Sequence, residues 1–222
     1  MAAGATQKVL PDVPGGLLEK YLKADVIAVD TELHGLRLAR DQVCLVQIAD
    51  RHQNVCLVRP NPPEAPKNLR ALMEHPRTIK VFHFALTDVA FMRASLGVKV
   101  WPYHCTKVMS KLVRTYASSH GLKDLVAELV GVEMDKHPQQ TNWSAPVLSP
   151  KQIAYAANDV LNLIPAYDAL QRMLQERGKL PTGLSAVELN ELCQAFLPTL
   201  VELILNGYGD KDDGWETSLY TH

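Results

Sequence analysis

Two carboxylates, Asp30 and Glu32, are separated by a single threonine in the segment VIAVDTEL, residues 26–33. The apolar residues before them predict a strand buried on both faces, as in the middle of a mostly parallel sheet. Side chains at i and i+2 of a strand point to the same side, so we expect both acids to face one way at its carboxyl end. Like charges held this close repel, and burial raises the cost. The pair therefore needs a neutralising partner.

Two further carboxylates occupy positions that suit such a site. Asp88, in VFHFALTDVAFM, follows a predicted core strand at the start of a helix. Asp159, in QIAYAANDVLNLI, lies on a mostly apolar predicted helix, and Tyr155 four residues earlier shares its face. Each residue has an ordinary alternative role, because the helix dipole favours an acid in a first turn and a hydrogen bond can satisfy a buried acid or tyrosine. Together with the first pair, however, they indicate a carboxylate site.

Divalent metal ions are the economical way to neutralise these four acids, since no nearby lysine or arginine is clearly placed to pair with Asp30 and Glu32. All the ligands offered are oxygen atoms, which favours Mg²⁺, with Mn²⁺ as a substitute. Four carboxylates can hold two ions about 4 Å apart, the arrangement used for in-line displacement at phosphorus. The ions would activate a water and stabilise the leaving 3′ oxygen. Tyr155, a poor base at neutral pH because its ordinary pKa is about 10, is predicted to orient that water.

The elements that position these residues predict an α/β fold with a mixed sheet. Strands at 24–33 and 41–50, joined by the short segment HGLRLAR, predict an antiparallel hairpin. Further strands are expected at 54–60 and 78–84, with a helix near 67–75 between them. Strands first and helices later favour a sheet flanked by α-helices, with a helix-rich C-terminal half.

Helical patterns dominate the rest of the chain. One predicted helix extends from Asp88 to Leu96, and Gly97 after it is a suitable C-cap. Pro165 is expected to kink or split another. The remaining predicted helices are 105–116, 121–130, 149–175 and 186–205. We expect a polar lead-in at 1–20 and a polar, glycine-rich tail at 207–222, in a single domain spanning 1–222.

Composition narrows the classes of protein. The net charge of −1 leaves no basic surplus for binding long duplex nucleic acid. Either nucleic acid is not the partner, or the substrate is short and a metal supplies the positive charge. There is no apolar run of bilayer length and no basic start followed by an apolar stretch, which predicts a cytoplasmic protein without a membrane partner. The cysteines form no CxxC pair and predict buried, reduced thiols; they are Cys44, Cys56, Cys105 and Cys193.

The three motifs DTE, HFALTDVAFM and YAANDV resemble those of the DEDD 3′→5′ exonucleases, which share the ribonuclease-H-like fold. A tyrosine four residues before the last aspartate marks the ribonuclease-D-like subclass. The stretch CTKVMSKLVRTYASSHGLKDL, residues 105–125, resembles that of the compact nano-RNase C group. The resemblance to this group extends over about residues 20–205. The resemblance implies that the four acids bind two divalent ions and that Tyr155 acts on the water. It also implies a substrate of very short single-stranded RNA, such as dinucleotides, and a homo-oligomer ranging from a dimer to an octameric ring.

Several residues are candidates for contacting such a substrate. Leu36 matches the position where related oligoribonucleases place a leucine wedge between two bases, although packing within the hairpin is an equal alternative. His83 and Phe84 adjoin the second motif and are candidates for a base or sugar contact, against ordinary core roles. Three basic residues share one face of a predicted helix; they are Lys107, Lys111 and Arg114. By default this face is exposed to solvent. The alternative is that it binds the 5′ phosphate of the substrate, assisted by His120.

The leading hypothesis is a metal-dependent 3′→5′ exoribonuclease that releases nucleoside 5′-monophosphates from very short RNA. Trimming of longer RNA 3′ ends, or of DNA, is the alternative enzyme activity. A protein of a different class, one that keeps the fold for binding or scaffolding without catalysis, is disfavoured because all four acids and Tyr155 are present.

Overall fold

The structure, a computed structural model, describes residues 8–134 and 141–208. Within these residues, six strands form one mixed sheet in the order β1-β4-β3-β2-β5-β6. The two central pairings, β2 with β3 and β3 with β4, are antiparallel, and the outer pairings are parallel. The strands are β1 (Val9–Leu10), β2 (Val26–Leu33), β3 (Val43–Ala49), β4 (Val55–Val58), β5 (Ile79–Phe82) and β6 (Tyr103–Cys105).

Helices cover both faces of this sheet. The described helices are α1 (Gly15–Lys23), α2 (Lys67–Met73), α3 (Ala85–Leu96), α4 (Thr106–Val113), α5 (Leu122–Val130), α6 (Pro150–Leu161), α7 (Leu163–Arg177) and α8 (Ala186–Leu203), followed by an irregular turn (Ile204–Tyr208). The prediction of an α/β fold with a mixed sheet, flanking helices and a helix-rich C-terminal half is confirmed.

Strand β2 lies in the middle of the sheet and is buried on both faces, as its apolar run predicted. Ile27 and Val29 join the core under α3, whereas Val26 and Ala28 join the core under α4 and α7. Because strand side chains alternate, the acids at 30 and 32 continue the face of Ala28. The antiparallel partner predicted for β2 is also confirmed, with Ala28 opposite Ala49.

Helix α6 covers that face beside the acids. It packs against β2, β3 and β4, and a third core cluster joins Leu45 and Leu57 of the sheet to Ala156 of the helix. Trp143 belongs to this cluster and is 3% exposed, so it packs in the core. The sheet and α6 therefore share one apolar interface next to the acidic end of β2.

The N-terminal prediction was wrong in part. The lead-in predicted for residues 1–20 contains β1, which extends the sheet beside β4, and most of α1. Tyr21 of α1 is fully buried and its hydroxyl donates to the carbonyl oxygen of Asn54 at 3.0 Å. A two-residue strand and a helix that begins with two glycines carry little local signal, so these elements form because the sheet edge and the core receive them.

The predicted helix boundaries were closer. Residues 149–175 form two helices, α6 and α7, that meet at Asn162, three residues before Pro165, so the predicted split is confirmed. Helix α3 ends at Gly97 with φ of 62°, a left-handed C-cap that glycine adopts readily. The tail predicted at 207–222 lies outside the described residues beyond Tyr208.

The cysteines are all free thiols, as expected. Cys56 and Cys105 are buried, but Cys44 and Cys193 are partly exposed, so the prediction of four buried thiols was wrong for those two. Among the helices that the structure describes, none is long and apolar enough to cross a membrane.

Candidate active site

Three carboxylates meet where the carboxyl end of β2 lies beside α6. One oxygen from each of Asp30, Glu32 and Asp159 lies within 4.8 Å of the others, close enough for all three to bind one metal ion. Asp30 is partly buried, whereas Glu32 and Asp159 are each 7% exposed. The structure thus brings together the first and third sequence motifs, which are more than 120 residues apart.

The local sequence of α6 explains how Asp159 and Tyr155 are placed. Ser149 caps the helix: its hydroxyl accepts from the backbone amide of Gln152, whose side chain in turn accepts from the Ser149 amide, and Pro150 is the first helical residue. The helix therefore begins at a fixed residue, and Tyr155 and Asp159 lie one turn apart on its inner face. The Tyr155 ring also packs against Trp143, with ring centroids 6.2 Å apart.

The fourth acid, Asp88, enters the site from α3. It lies in the first turn of that helix and is 7% exposed. Thr31, between Asp30 and Glu32 on β2, donates from Oγ1 to Asp88 Oδ1 at 2.5 Å. This hydrogen bond ties the second motif to the first, so all four predicted acids lie in one region.

Burial and mutual repulsion disfavour the charged forms of the four carboxyl groups. Burial raises the pKa of Asp30 to about 7. Burial, followed by the charge of Asp30, raises the pKa of Asp159 to about 8. The pKa of Glu32 rises to about 10, again mainly through burial and then through the neighbouring carboxylates. Burial, followed by the charge of Asp30, also raises the pKa of Asp88 well above its ordinary value. Four acids that resist ionisation together form a place where added positive charge is strongly favoured.

Neutral side chains donate hydrogen bonds to two of these acids, Thr31 to Asp88 and Gln47 to Glu32. Asp25, Asp41, Glu74, Glu128 and Asp168 each form an ion pair with a described residue. Glu32 instead accepts a hydrogen bond from Gln47 Nε2 at 3.2 Å, and Gln47 Oε1 is buried with no partner among the described residues. A compact all-oxygen donor set of this kind fits a hard divalent cation. The prediction of divalent metal ions is confirmed.

Sequence reasoning missed Thr31 and Gln47, which orient two of the acids. Thr31 was visible within the DTE motif itself, but its partner is 57 residues away and belongs to another element. Gln47 lies directly opposite Asp30 in the β2–β3 pairing. Counting the register of the predicted hairpin would have placed it beside the acids.

Two apolar candidates for substrate contact have exposed side chains. Leu36, on the loop after β2, is 78% exposed, so the alternative of hairpin packing was wrong. Phe84, between β5 and α3, is 46% exposed and has a φ of 68°, a left-handed conformation that costs of order 1–3 kcal/mol for a non-glycine residue. The ammonium of Lys107 lies 4.2 Å from the centroid of the Phe84 ring. The ammonium group of Lys107 therefore lies against the aromatic ring of Phe84, which precedes Asp88 by four residues.

His83 lies at the same junction but is largely enclosed. Its Nδ1 is 2.9 Å from Thr106 Oγ1, and its Nε2 is buried with no partner among the described residues. Burial, followed by the charge of Lys107, lowers the pKa of His83 to about 4. The imidazole is therefore neutral at physiological pH.

The basic helical face differs from the predicted one. Lys111 is exposed and Lys107 is partly buried, but Arg114 is only 1% exposed. The Arg114 guanidinium forms an ion pair with Glu128 and donates to Ser110 Oγ at 2.8 Å. The default expectation of a solvated face was thus wrong for Arg114, because α4 ends at Val113 and the following residue turns inward.

His120 is connected to the same network. Ser110 Oγ lies 2.9 Å from His120 Nδ1, so Arg114 and His120 share a hydroxyl. Burial, followed by the charge of Arg114, lowers the pKa of His120. Arg114 is therefore linked to His120 through Ser110, and each nitrogen of its guanidinium donates to a protein oxygen.

Comparison with known proteins agrees with this site. A family model described as 3′-5′ exonuclease matches residues 14–175. The ribonuclease D of Gluconacetobacter diazotrophicus is 33% identical over 167 residues, which are 74% of this chain and 42% of that protein. The chain thus spans less than half the length of the ribonuclease D proteins that it matches.

Solved structures give a likeness over almost the whole chain. Brucella melitensis NrnC is 36% identical with a TM-score of 0.83, over 93% of this chain and 96% of that one. The same protein has been solved with bound Mg²⁺ and bound to pGG, with TM-scores of 0.83 and 0.84 at 34% identity; these alignments cover 97% of this chain and 98% and 99% of the other. Escherichia coli RNase D is 25% identical with a TM-score of 0.71, over 86% of this chain and 50% of that one.

The mixed sheet, the acidic cluster and these matches define the class of protein. The chain belongs to the 3′→5′ exonuclease family. Within that family it is a DEDD exonuclease of the ribonuclease-D-like group, as its three motifs predicted. The individual roles of the site residues stay predictions.

Proposed function

We propose that this 3′→5′ exonuclease hydrolyses very short RNA to nucleoside 5′-monophosphates. The observation that carries the proposal is the cluster of Asp30, Glu32 and Asp159, in which one carboxylate oxygen from each residue lies within 4.8 Å of the others. Such a site is suited to metal-assisted cleavage of a phosphodiester. The similarity to NrnC, which has been solved bound to pGG, supports RNA as the substrate.

The four acids divide the work of metal binding by position. Asp30, Glu32 and Asp159 surround one point and would hold one ion there. Asp88, tied to Thr31, would hold a second ion together with Asp30, whose charge acts on it. Two divalent ions supply Lewis acidity at the scissile phosphate and lower the pKa of the attacking water.

Tyr155 would orient the attacking water. Burial, followed by the charge of Asp159, raises its pKa far above the ordinary value of a tyrosine. The hydroxyl therefore keeps its proton at any physiological pH and acts as a hydrogen-bond donor, not as a base. Its position one helical turn before Asp159 keeps it beside the metal-binding acids.

The preference for short RNA rests on the surroundings of the acids. Exposed apolar side chains at Leu36 and Phe84 offer surfaces for stacking on bases. The net charge of −1 gives little counterion release with a long strand. A dinucleotide, which has few phosphates and two bases, suits a site that binds bases more than backbone.

The 5′ end of the substrate would bind to basic side chains close to Phe84. Lys107, Lys111 and His120 are the candidates for a terminal phosphate, with His83 and Phe84 contacting sugar or base. Arg114 would act from behind, by holding Ser110 and through it His120. We therefore replace the direct phosphate contact predicted for Arg114 with a supporting role.

A length series of RNAs tests the proposal. 5′-Phosphorylated RNAs of two, five and twenty nucleotides would be incubated with Mg²⁺ or Mn²⁺ near physiological salt, and the products separated. We expect the highest kcat/KM on the dinucleotide, with nucleoside 5′-monophosphates as products and no turnover in chelator. Products carrying a 3′ phosphate, or metal-independent turnover, would contradict the mechanism.

Trimming of longer RNA 3′ ends is a second candidate, favoured by the 33% identity to ribonuclease D. Exonuclease action on DNA is related to it. A kcat/KM that rises with length, or that is equal on RNA and DNA, would favour these activities over dinucleotide hydrolysis. The homo-oligomer and the cytoplasmic location stay predictions; light scattering of the purified protein tests the first.

A further inference from the structure

The loop between β2 and β3 is folded around one buried carboxylate. Asp41 is 2% exposed although it lies in a loop of mostly exposed residues. Its Oδ2 accepts from the backbone amide of Arg37 at 2.9 Å, and its Oδ1 accepts from Arg40 Nε at 2.7 Å. The Asp41 amide in turn donates to the carbonyl oxygen of Arg37 at 2.7 Å. The two ends of this short segment are therefore fastened to each other.

Gly35 is the other half of this arrangement. A Cβ atom at Gly35 would lie 2.2 Å from Asp41 Oδ2 and 2.7 Å from its Cγ. Both distances are far below van der Waals contact, so the Asp41 carboxylate occupies the space where any other residue would place its side chain. The backbone at Gly35 packs directly on the carboxylate.

Leu36 lies between these two contacts. It follows Gly35, precedes the amide that binds Asp41, and has 78% of its surface exposed. An apolar side chain this exposed gains nothing from the core, so the loop is built around something other than its burial. The adjoining backbone is instead held by the buried, charged side chain of Asp41.

We propose that Asp41 and Gly35 are positioning residues that hold Leu36 in the orientation needed to stack on the bases of a short RNA. This inference rests on the proposed function. A wedge on a mobile loop would lose much of its stacking energy to the entropy of ordering, whereas a pre-organised loop does not. Charge-assisted hydrogen bonds to a buried carboxylate supply that rigidity.

The experiment separates positioning from general stability by changing the substrate as well as the protein. Each protein is assayed on a dinucleotide and on an analogue whose 5′ sugar lacks its base, and the ratio of the two kcat/KM values is compared. The variants are Leu36→Ala, Gly35→Ala and Asp41→Asn. Gly16→Ala is the matched control, because a Cβ at that glycine meets nothing within 4 Å. Thermal melting and Mn²⁺ binding by calorimetry report folding and the metal site.

We expect wild type and the Gly16→Ala protein to prefer the complete dinucleotide by the same factor. In the other three variants this preference should shrink by roughly tenfold, through a higher KM, because stacking is worth that much per base. Combining Asp41→Asn with Leu36→Ala should cost no more than Leu36→Ala alone, since the two residues act as a unit. Hydrogen exchange at the Arg37 amide should accelerate in Asp41→Asn.

Two other outcomes would overturn the inference. The first is a preference lost in Leu36→Ala but kept in both Gly35→Ala and Asp41→Asn. The second is fully additive losses in the Leu36–Asp41 double variant. Either result leaves the proposed function standing, because the wild-type preference is measured in the same series. Failure of wild type to cleave the dinucleotide at all would instead refute the proposed function, and the positioning role with it.

Discussion

At the scale of single residues, the acids hold more negative charge than the metal-free fold favours. Burial raises the pKa of Asp30 to about 7 from an unfolded value of about 3.9. A raised carboxyl pKa means that the folded state binds the proton more tightly, so the stabilising contribution is complete below about pH 4 and is lost as the pH rises through about 7. The metal-free protein is therefore weakened by Asp30 near neutrality.

We predict that Asp30→Asn abolishes turnover yet raises the melting temperature of the metal-free protein at pH 8. Each kcal/mol of relieved repulsion corresponds to roughly 2–4 °C for a domain of this size. The difference from wild type should vanish near pH 4, and Mn²⁺ should stabilise wild type far more than the variant. Calorimetric melts at the two pH values, with and without Mn²⁺, check this. A variant less stable than wild type at pH 8 would be inconsistent with repulsion at the site.

Tyr155→Phe separates catalysis from binding. Its hydroxyl is expected to act on the attacking water, so kcat should fall while the affinity for dinucleotide stays nearly constant. A lost hydrogen bond of about 1–3 kcal/mol corresponds to a fall of roughly tenfold to a hundredfold in kcat. Single-turnover rates and equilibrium binding in Ca²⁺ measure the two quantities. An equal loss of affinity would assign Tyr155 to substrate binding.

At the scale of elements, the β2–β3 pair supplies neutral donors that aim the acids. Thr31→Val removes the donor to Asp88 while keeping the shape of the side chain, and Thr31→Ser restores the hydroxyl. Loss of an outer hydrogen bond to a metal ligand costs roughly 10–100-fold in metal affinity. We therefore expect weaker Mn²⁺ binding in Thr31→Val and near-normal binding in Thr31→Ser. Equal affinities in all three proteins would show that Asp88 needs no such support.

The same scale shows what the sequence could and could not predict. The apolar run before Asp30 and the spacing of Tyr155 and Asp159 are local patterns, and both were predicted correctly. The burial of Arg114 was not, because it depends on Glu128, which folds back from the next helix. The partner of Thr31 was missed for the same reason. Patterns within one element are readable from sequence, whereas contacts between elements depend on how the elements pack.

At the scale of the whole molecule, substrate length is the property that the fold is expected to control. Leu36→Ala should lower kcat/KM about tenfold on a dinucleotide, where a single stacked base is a large share of the binding energy. The loss should be smaller on a twenty-nucleotide RNA, which makes other contacts. Wild type and variant compared at two, five and twenty nucleotides, at one salt concentration, provide the check. Equal losses at every length would argue against a site built for short RNA.

The pairing of β2 with β3 shifts register between Glu32 and Leu33. On the near side of that irregularity, Asp30 and Glu32 are locked opposite Gln47 and Leu45, and a one-residue slip would turn both acids to the wrong face. On the far side, the loop that carries Leu36 begins. We expect an insertion or deletion in the loop to be absorbed at the irregularity, which leaves the register of Asp30 and Glu32 unchanged. The loop can therefore change in length or sequence without altering the strand pairing that holds the acids.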